Sequence, residues 1–387
     1  MIRARLTGIS FATLILLVPQ FAQAQTHDTA DVLQPFIDSR TVAGAVTLVA
    51  NRQGIVDIDA IGWADIDDQR PMQPDALFWI ASMSKPIAGT ALMMLVEEGK
   101  ISLDDPVEKY LPEYKGEWLA VERDQTHQLL KHPSRPITIR DTLSHVSGLP
   151  HRSPVEVPTL DALPLRTVVR SFAVMPLEFE PGTSYLYSNG GINTAGRILE
   201  VVTGKSYEQF LQERLFDPLG MTDTTFWPSQ PQLTRLASSY KAGPEKKGLV
   251  ETTIPQLTYP LDDREHRYPI PGGGLFSTAA DMATFARMIL NEGELNGVRY
   301  LSPASVAEMT KRQTAESLPK SYGLGWNIAG KNCSHGGAFS TNMELDRDRD
   351  LVLIYMVQHA DYPGNGKDAN GVFRKGAVEK FSKPNAK

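Results

Sequence analysis

Residues 78–99, FWIASMSKPIAGTALMMLVEEG, form the stretch that most constrains the fold of this 387-residue chain. Apolar residues recur through it at helical spacing and predict a buried helix over 85–97. Gly99 ends that helix. Pro86 is tolerated only in the first turn of a helix, so the helix is predicted to begin near Ser82.

Ser82 and Lys85 are three positions apart and therefore share one face of this helix. The positive end of the helix dipole would lie at Ser82 and favour an oxyanion there. Burial by apolar neighbours would lower the pKa of Lys85 from its usual value of about 10.4, so that a neutral amine could accept the serine proton. Taken alone, the pair fits an ordinary helix start better, with Ser82 or Ser84 as the N-cap and Lys85 solvated. Two further S-x-x-K strings are predicted to lie in loops, Ser238…Lys241 and Ser317…Lys320.

A second motif is Tyr187-Ser188-Asn189, the only Y-x-N string in the chain. It precedes a predicted helix over 191–202. The tyrosine could relay a proton, and the asparagine amide could orient a lysine or a substrate carbonyl. A buried tyrosine followed by a helix-capping asparagine is the simpler interpretation of this motif alone.

A third motif is His335-Gly336-Gly337-Ala338, which is predicted to lie just ahead of a strand. His335 could donate a hydrogen bond from the wall of a cleft, and the two glycines permit close approach of a substrate backbone. A histidine in a turn is the alternative. Two K-x-G strings, at 241–243 and 246–248, have no adjoining strand pattern and are set aside.

In this order, the three motifs resemble those of the serine β-lactamase and penicillin-recognising superfamily. The similarity is to its class C-like branch, which holds class C β-lactamases, D,D-carboxypeptidases, D-aminopeptidases and family VIII carboxylesterases. Residues 143–149, 179–182 and 271–278 also look similar to that branch, and the resemblance extends from about Gly44 to Gln358. The ordered set outweighs the simpler interpretation of each motif.

The resemblance implies that Ser82 attacks a carbonyl and forms an acyl-enzyme, which water then hydrolyses. It assigns general acid and base work to Lys85 and Tyr187 without deciding which takes the first proton. Asn189 would orient the substrate and Lys85. The backbone N–H groups of Ser82 and Ala338 would form the oxyanion hole. The resemblance implies no metal and no cofactor.

His335, Gly336 and Gly337 would contact the substrate, but the histidine departs from the K-T-G motif of class C β-lactamases. A histidine with a pKa of about 6.5 is mostly neutral at pH 7 and offers a substrate carboxylate no permanent cation. The H-x-G string therefore resembles the peptidase and esterase members of the branch more than its β-lactamases.

Composition narrows the class of protein independently. Hydrophobic residues make up 41% and charged residues 22%, as in ordinary globular proteins. The net charge of −6 argues against a nucleic-acid partner. A single cysteine, Cys333, excludes an intramolecular disulfide framework and a thiolate metal cluster.

Residues 1–24 are predicted to be a secretory signal peptide, because two arginines precede a short apolar run and an Ala-Gln-Ala cleavage site. A membrane anchor is the alternative, although the run is short for a bilayer. We therefore expect a periplasmic or secreted protein, cleaved after Ala24 and without a stable membrane anchor.

Strand patterns lie at the two ends of the mature chain and helical patterns in its middle. This arrangement predicts a mixed α/β fold, with one domain built from both ends of the chain and a mostly helical domain inserted between them. The resemblance implies a β-lactamase/transpeptidase-like fold, in which an antiparallel sheet is flanked by N- and C-terminal helices. The sheet domain is assigned to residues 25–80 and 293–387, and the helical domain to 81–292. The middle is predicted as helix and loop, and one of the last strands as 323–328.

The sequence thus predicts an exported serine hydrolase acting on small ester or amide substrates. A D-amino-acid-specific peptidase, a D,D-carboxypeptidase or a β-lactamase is the alternative within enzymes. A catalytically silent binding protein of the same fold is the alternative outside them, but such a protein should have lost Ser82, Lys85 or Tyr187, and all three are present.

Overall fold

The computed structural model describes residues 29–382. The predicted signal peptide over 1–24 lies outside the described residues. No helix within 29–382 is long and apolar enough to cross a bilayer.

The described chain contains fifteen strands and eleven α-helices. The strands are β1 Gly44–Ala50, β2 Ile55–Asp65, β3 Arg70–Pro71, β4 Phe78–Trp79, β5 Leu119–Arg123, β6 Gln128–Lys131, β7 Ser239–Ala242, β8 Leu249–Thr252, β9 Phe276–Ser277, β10 Glu294–Leu295, β11 Val298–Arg299, β12 Asn327–Ala329, β13 Asn332–Gly336, β14 Asn342–Asp346 and β15 Leu351–Met356. The helices are α1 Gln34–Asp38, α2 Ser84–Glu97, α3 Ile139–Leu143, α4 Leu165–Ala173, α5 Asn189–Thr203, α6 Tyr207–Leu211, α7 Asp217–Leu219, α8 Gln230–Leu233, α9 Ala279–Leu290, α10 Pro303–Met309 and α11 Ala369–Phe381. A π-helical turn, Gln212–Phe216, joins α6 to α7.

Seven strands form the main sheet in the order β12-β13-β14-β15-β1-β2-β3. Every neighbouring pair is antiparallel. Strands from the two ends of the chain therefore meet where β15 pairs with β1. The structure confirms the predicted mixed α/β fold with its antiparallel sheet.

Both faces of this sheet are covered, which explains why β15 is a continuous apolar run. Successive side chains of a strand point to opposite faces. Leu353 and Tyr355 pack with Phe36 on α1 and Phe373 on α11, in a second apolar cluster. Ile354, on the other face, belongs to the main core. The terminal helices thus flank one face, as predicted.

Helix α9 comes from the predicted helical middle of the chain, yet it packs against β1, β14 and β15 of the main sheet. The middle also holds two β-hairpins, β5–β6 and β7–β8, so the prediction that it is only helix and loop is wrong. The domain limits drawn at residues 80 and 292 stay a prediction.

The predicted strand over 323–328 is wrong over its first four residues, because β12 begins only at Asn327. Gly325 has φ +84°, and a Cβ at that residue would lie 2.5 Å from the carbonyl oxygen of Lys85. Residues 323–326 therefore pack closely on the first turn of α2 instead of extending the sheet. This contact fixes the start of α2 against the segment that leads into β12.

Candidate active site

Ser82 lies in a short turn between a strand and a helix. The 3-10 turn Ala81–Met83 follows β4 and continues directly into α2. Ala81 has φ 45°, an uncommon conformation for a residue other than glycine. Met83, not a serine, is the N-cap of α2, and it makes no side-chain capping bond. The alternative in which Ser82 or Ser84 caps the helix is therefore wrong.

Lys85 is completely buried, so the alternative of a solvated lysine is also wrong. Its Nζ donates hydrogen bonds to Ser82 Oγ at 3.0 Å, Asn189 Oδ1 at 2.8 Å and the carbonyl oxygen of Gly272 at 2.5 Å. Burial lowers the pKa of Lys85 to about 7, and the carboxylate of Glu156 opposes that shift. An amine with this pKa exists in both protonation states near neutral pH, as a general base requires.

The ring of Tyr187 lies against the Lys85 ammonium group. The Lys85 Nζ is 4.7 Å from the centre of the Tyr187 ring. Burial raises the pKa of Tyr187 to about 12, although a hydrogen bond with Ser82 lowers it. The phenol therefore stays protonated at physiological pH and is suited to donate a proton. The structure thus brings together the serine, lysine, tyrosine and asparagine singled out in the sequence.

The candidate oxyanion hole lies where the end of β13 meets the turn that carries Ser82. A Cβ on Gly337 would lie 2.2 Å from Thr341 Oγ1 and 2.6 Å from the carbonyl oxygen of Ile80. Only glycine allows this approach of the residue before Ala338 to Ile80, which precedes the turn that carries Ser82. Within residues 29–382, neither the Ser82 N–H nor the Ala338 N–H donates a hydrogen bond to another protein group. Both are thus available to an oxyanion.

His335 lies on β13, and the motif over 335–338 precedes β14, as predicted. Its ring is buried, with Nε2 2.9 Å from Tyr322 Oη and Nδ1 2.8 Å from the carbonyl oxygen of Gly336. A carbonyl can only accept, so Nδ1 carries the proton and Nε2 accepts from the tyrosine. Burial, with a contribution from Lys85, lowers the pKa of His335 to about 3. His335 is therefore neutral, and both of its nitrogens are already bonded within the protein.

Two buried aromatic residues beside Tyr187 were not singled out in the sequence. His145 lies with its ring centre 4.4 Å from that of Tyr187 and 4.7 Å from that of Tyr322. His145 Nδ1 accepts a hydrogen bond from the Ser188 N–H. The 143–149 stretch, which resembles the family, could have drawn attention to His145. Tyr322 belongs to no motif in the sequence. Together they pack the YxN turn against β13.

The remaining S-x-x-K and K-x-G strings lie away from this cluster. Ser238 Oγ donates to Asp65 Oδ2 at 2.6 Å, and Lys241 is exposed on β7. The prediction of a loop at 238–241, and of no strand beside 241–243, is therefore wrong. Ser317 and Lys320 are exposed in an irregular segment, as predicted. Within residues 29–382, no group of three or more His, Cys, Asp or Glu side chains could hold a metal ion.

Comparison with known proteins agrees with this geometry. The family model described as Beta-lactamase matches residues 29–375. Protein Rv1367c of Mycobacterium tuberculosis is 35% identical, over 83% of this chain and 87% of its own length. The lovastatin esterase of Penicillium rubens is 30% identical, over 75% of this chain and 73% of its own length.

Among solved structures, EstCE1, a hydrolase with promiscuous acyltransferase activity, superposes with a TM-score of 0.75 at 23% identity. The superposition covers 90% of this chain and 96% of EstCE1. At this level of identity, the similarity shows that the two proteins share a fold.

Proposed function

Because this chain belongs to the beta-lactamase family and is a serine hydrolase, we propose that it cleaves small uncharged esters through an acyl-enzyme on Ser82. The observation that carries the proposal is the set of bonds around Lys85. The amine contacts the Ser82 hydroxyl and has a pKa of about 7, so a neutral base lies beside the nucleophile at physiological pH.

In the proposed acylation step, Ser82 Oγ attacks the ester carbonyl carbon and its proton passes to neutral Lys85. The carbonyl oxygen becomes an oxyanion, which accepts hydrogen bonds from the Ser82 and Ala338 N–H groups. The carbon–oxygen bond to the alcohol then breaks, and the alcohol leaves with a proton from Tyr187, which regains one from Lys85. The products of this step are the free alcohol and an ester of Ser82.

Deacylation repeats these transfers with water as the nucleophile. Water attacks the Ser82 ester, gives up a proton to Lys85, and forms a second oxyanion in the same place. The bond to Ser82 Oγ breaks, the serine recovers its proton, and the carboxylic acid leaves. Every proton taken up is returned, so the cycle requires only the ester and water.

A preference for uncharged substrates follows from His335. A substrate carboxylate needs a cation or a free N–H donor. His335 supplies neither, because it is neutral and its nitrogens bond Tyr322 and Gly336. The name of the lovastatin esterase, a relative at 30% identity, supports ester hydrolysis over peptide hydrolysis.

The test is a substrate panel. We expect kcat/KM for p-nitrophenyl butyrate to exceed that for a D-Ala-D-Ala peptide and for a chromogenic cephalosporin by at least about tenfold. The variant Ser82→Ala should lose all three activities and Ser317→Ala none. Faster cleavage of the D-Ala-D-Ala peptide would favour the peptidase. An enzyme inactive on all three, and unlabelled by a fluorophosphonate, would favour the silent binding protein.

We also propose that the protein is exported. The support is the pattern over 1–24, with its arginines, short apolar run and Ala-Gln-Ala site. Expression of the full chain in a bacterial host should give protein outside the cytoplasm, with Gln25 as its N-terminal residue. Protein that stays in the cytoplasm with residues 1–24 attached would contradict the proposal.

A further inference from the structure

A buried carboxylate lies behind the catalytic lysine. Glu156 is 1% exposed and ends the 3-10 turn Pro154–Glu156. Its Oε2 accepts from the Ser153 N–H at 2.9 Å, and Asn193 Nδ2 lies 3.5 Å from its Oε1. A carboxyl group buried at this depth is costly unless it is paired, so a compensating role is expected.

Asn193 connects this carboxylate to the lysine. Asn189 and Asn193 are four residues apart and lie on successive turns of one face of α5. Asn193 Oδ1 accepts from the Gly272 N–H at 3.0 Å, and the Gly272 carbonyl oxygen accepts from Lys85 Nζ at 2.5 Å. Gly272 itself packs on Asn189, whose Oδ1 a Cβ would approach to 2.9 Å. The chain of contacts is thus Glu156, Asn193, Gly272 and Lys85.

The loops that carry Glu156 and Gly272 are tied together by a second buried pair. Arg267 Nε and Asp161 Oδ2 are 2.7 Å apart, and their side chains are 3% and 1% exposed. Asp161 Oδ1 also accepts from the Thr258 N–H. These bonds join the segment before Gly272 to the segment after Glu156.

We propose that Glu156 is a positioning residue, which acts through Asn193 and Gly272 to hold the Gly272 carbonyl on Lys85 and to stabilise the protonated lysine. The inference rests on the proposed function. A side chain outside the three motifs thereby sets the pH at which the base becomes available.

The charges around the two groups agree with this role. Lys85 faces Glu156, and it also faces His145 and His335, whose pKa values burial lowers. Burial raises the pKa of Glu156, whereas the Ser153 N–H, Arg152, His151 and Lys85 lower it. Among these groups, Glu156 alone is the one that raises the pKa of the lysine.

The decisive variant is Glu156→Gln, which keeps the shape and removes the charge. Loss of an anion lowers the pKa of Lys85, so the acidic limb of the pH profile should move to lower pH, by roughly half to one unit. The readout is the rate of Ser82 labelling by a fluorophosphonate between pH 5 and pH 9, which does not depend on the natural substrate. Glu156→Asp retains the charge and should leave the limb near its wild-type position.

Glu117→Gln is the matched control. Glu117 is also a buried carboxylate, with 8% exposure, but it does not contribute to the pKa of Lys85. The acidic limb of the labelling profile of Glu117→Gln should coincide with that of the wild type. An unmoved limb in Glu156→Gln, or an equal movement in Glu117→Gln, would overturn the inference.

Asn193→Ala tests whether the contacts through Asn193 position the Gly272 carbonyl on Lys85. This test remains available if Glu156→Gln does not fold. Asn193→Ala removes the acceptor of the Gly272 N–H and leaves the charge, so the plateau rate should fall about tenfold or more with the limb little moved. An unchanged plateau rate would overturn this positioning role. A wild-type enzyme that is not labelled on Ser82 at all would refute the proposed function instead, and peptide mapping distinguishes the two failures.

Discussion

The Lys85 Nζ lies 3.0 Å from the Ser82 Oγ and uses its remaining hydrogen bonds on Asn189 and Gly272. Three acceptors match the three N–H bonds of an ammonium group. When the amine is neutral, it keeps two donors and turns its lone pair to the serine. The same contacts therefore hold the lysine in both protonation states, and only the Ser82 bond changes direction.

In the proposed mechanism, Lys85 cannot be replaced by a permanent cation. An arginine stays charged at the working pH and cannot accept the serine proton. We expect Lys85→Arg and Lys85→Ala to lower kcat/KM for p-nitrophenyl butyrate by about 10²–10⁴-fold. Lys320→Arg, in the exposed S-x-x-K string, is the control and should be unaffected. An active Lys85→Arg enzyme would show that Lys85 is not the base and would leave Tyr187 as the candidate.

Gly337 and Gly336 give opposite predictions although they are neighbours. A Cβ on Gly337 would clash with Thr341 and Ile80, whereas the nearest atom to a Cβ on Gly336 is 3.4 Å away. Gly337→Ala should therefore displace the Ala338 N–H and lower kcat by about 10²–10³-fold. Gly336→Ala should stay near the wild type. Equal effects of the two substitutions would show that the approach of β13 to the serine turn does not serve catalysis.

His335 should not impose its own pH dependence on the choice of substrate. Its pKa of about 3 keeps it neutral throughout pH 5.5–8.5. The ratio of kcat/KM for an uncharged ester to that for a carboxylate-bearing peptide should therefore be constant over this range. Activity on the peptide that falls as pH rises through 6.5, with the ester spared, would identify His335 as a cation that binds carboxylates.

The variant Glu117→Gln should gain stability relative to the wild type as pH rises. Burial raises the pKa of Glu117 to about 8, although the Ile137 N–H lowers it. Between pH 4.5 and pH 8, the folded wild type holds a proton that the unfolded chain releases, so its stability falls as pH rises through that window. Glutamine has no such penalty. The free energy of unfolding in urea, measured at pH 5 and at pH 8.5, gives the difference between variant and wild type. Between these two pH values, that difference should shift in favour of the variant by roughly 2–4 kcal/mol. A difference that stays constant would contradict this prediction.

Sequence periodicity gives good bounds for elements with a strongly apolar face. The predicted helix over 85–97 differs from α2 by one residue, and the predicted helix over 191–202 lies within α5. Strand β13 escaped prediction because one of its two inward-facing residues is His335. A polar residue at a buried strand position breaks the alternation on which strand prediction depends.

The same limit applies to the site. Ser82 and Lys85 lie on one helical turn, so their contact follows from spacing alone. Glu156, Asn193 and Gly272 come from separate segments that only tertiary packing brings together. Glu156 and Asn193 are common residue types, one in a loop and one on a helix, and no local pattern distinguishes them from solvated residues. Gly272 lies in the 271–278 stretch, which indicates the family but not a contact with Lys85.

The most direct test of the central claim is the mass of the enzyme during turnover. Wild-type protein mixed with p-nitrophenyl butyrate and quenched in acid within milliseconds should gain one butyryl group, located on Ser82 by peptide mapping. Nitrophenol should appear in a burst of one equivalent if deacylation is slower, and Ser82→Ala should show neither the adduct nor the burst. An adduct on any residue other than Ser82, or a fully active Ser82→Ala enzyme, would contradict the account.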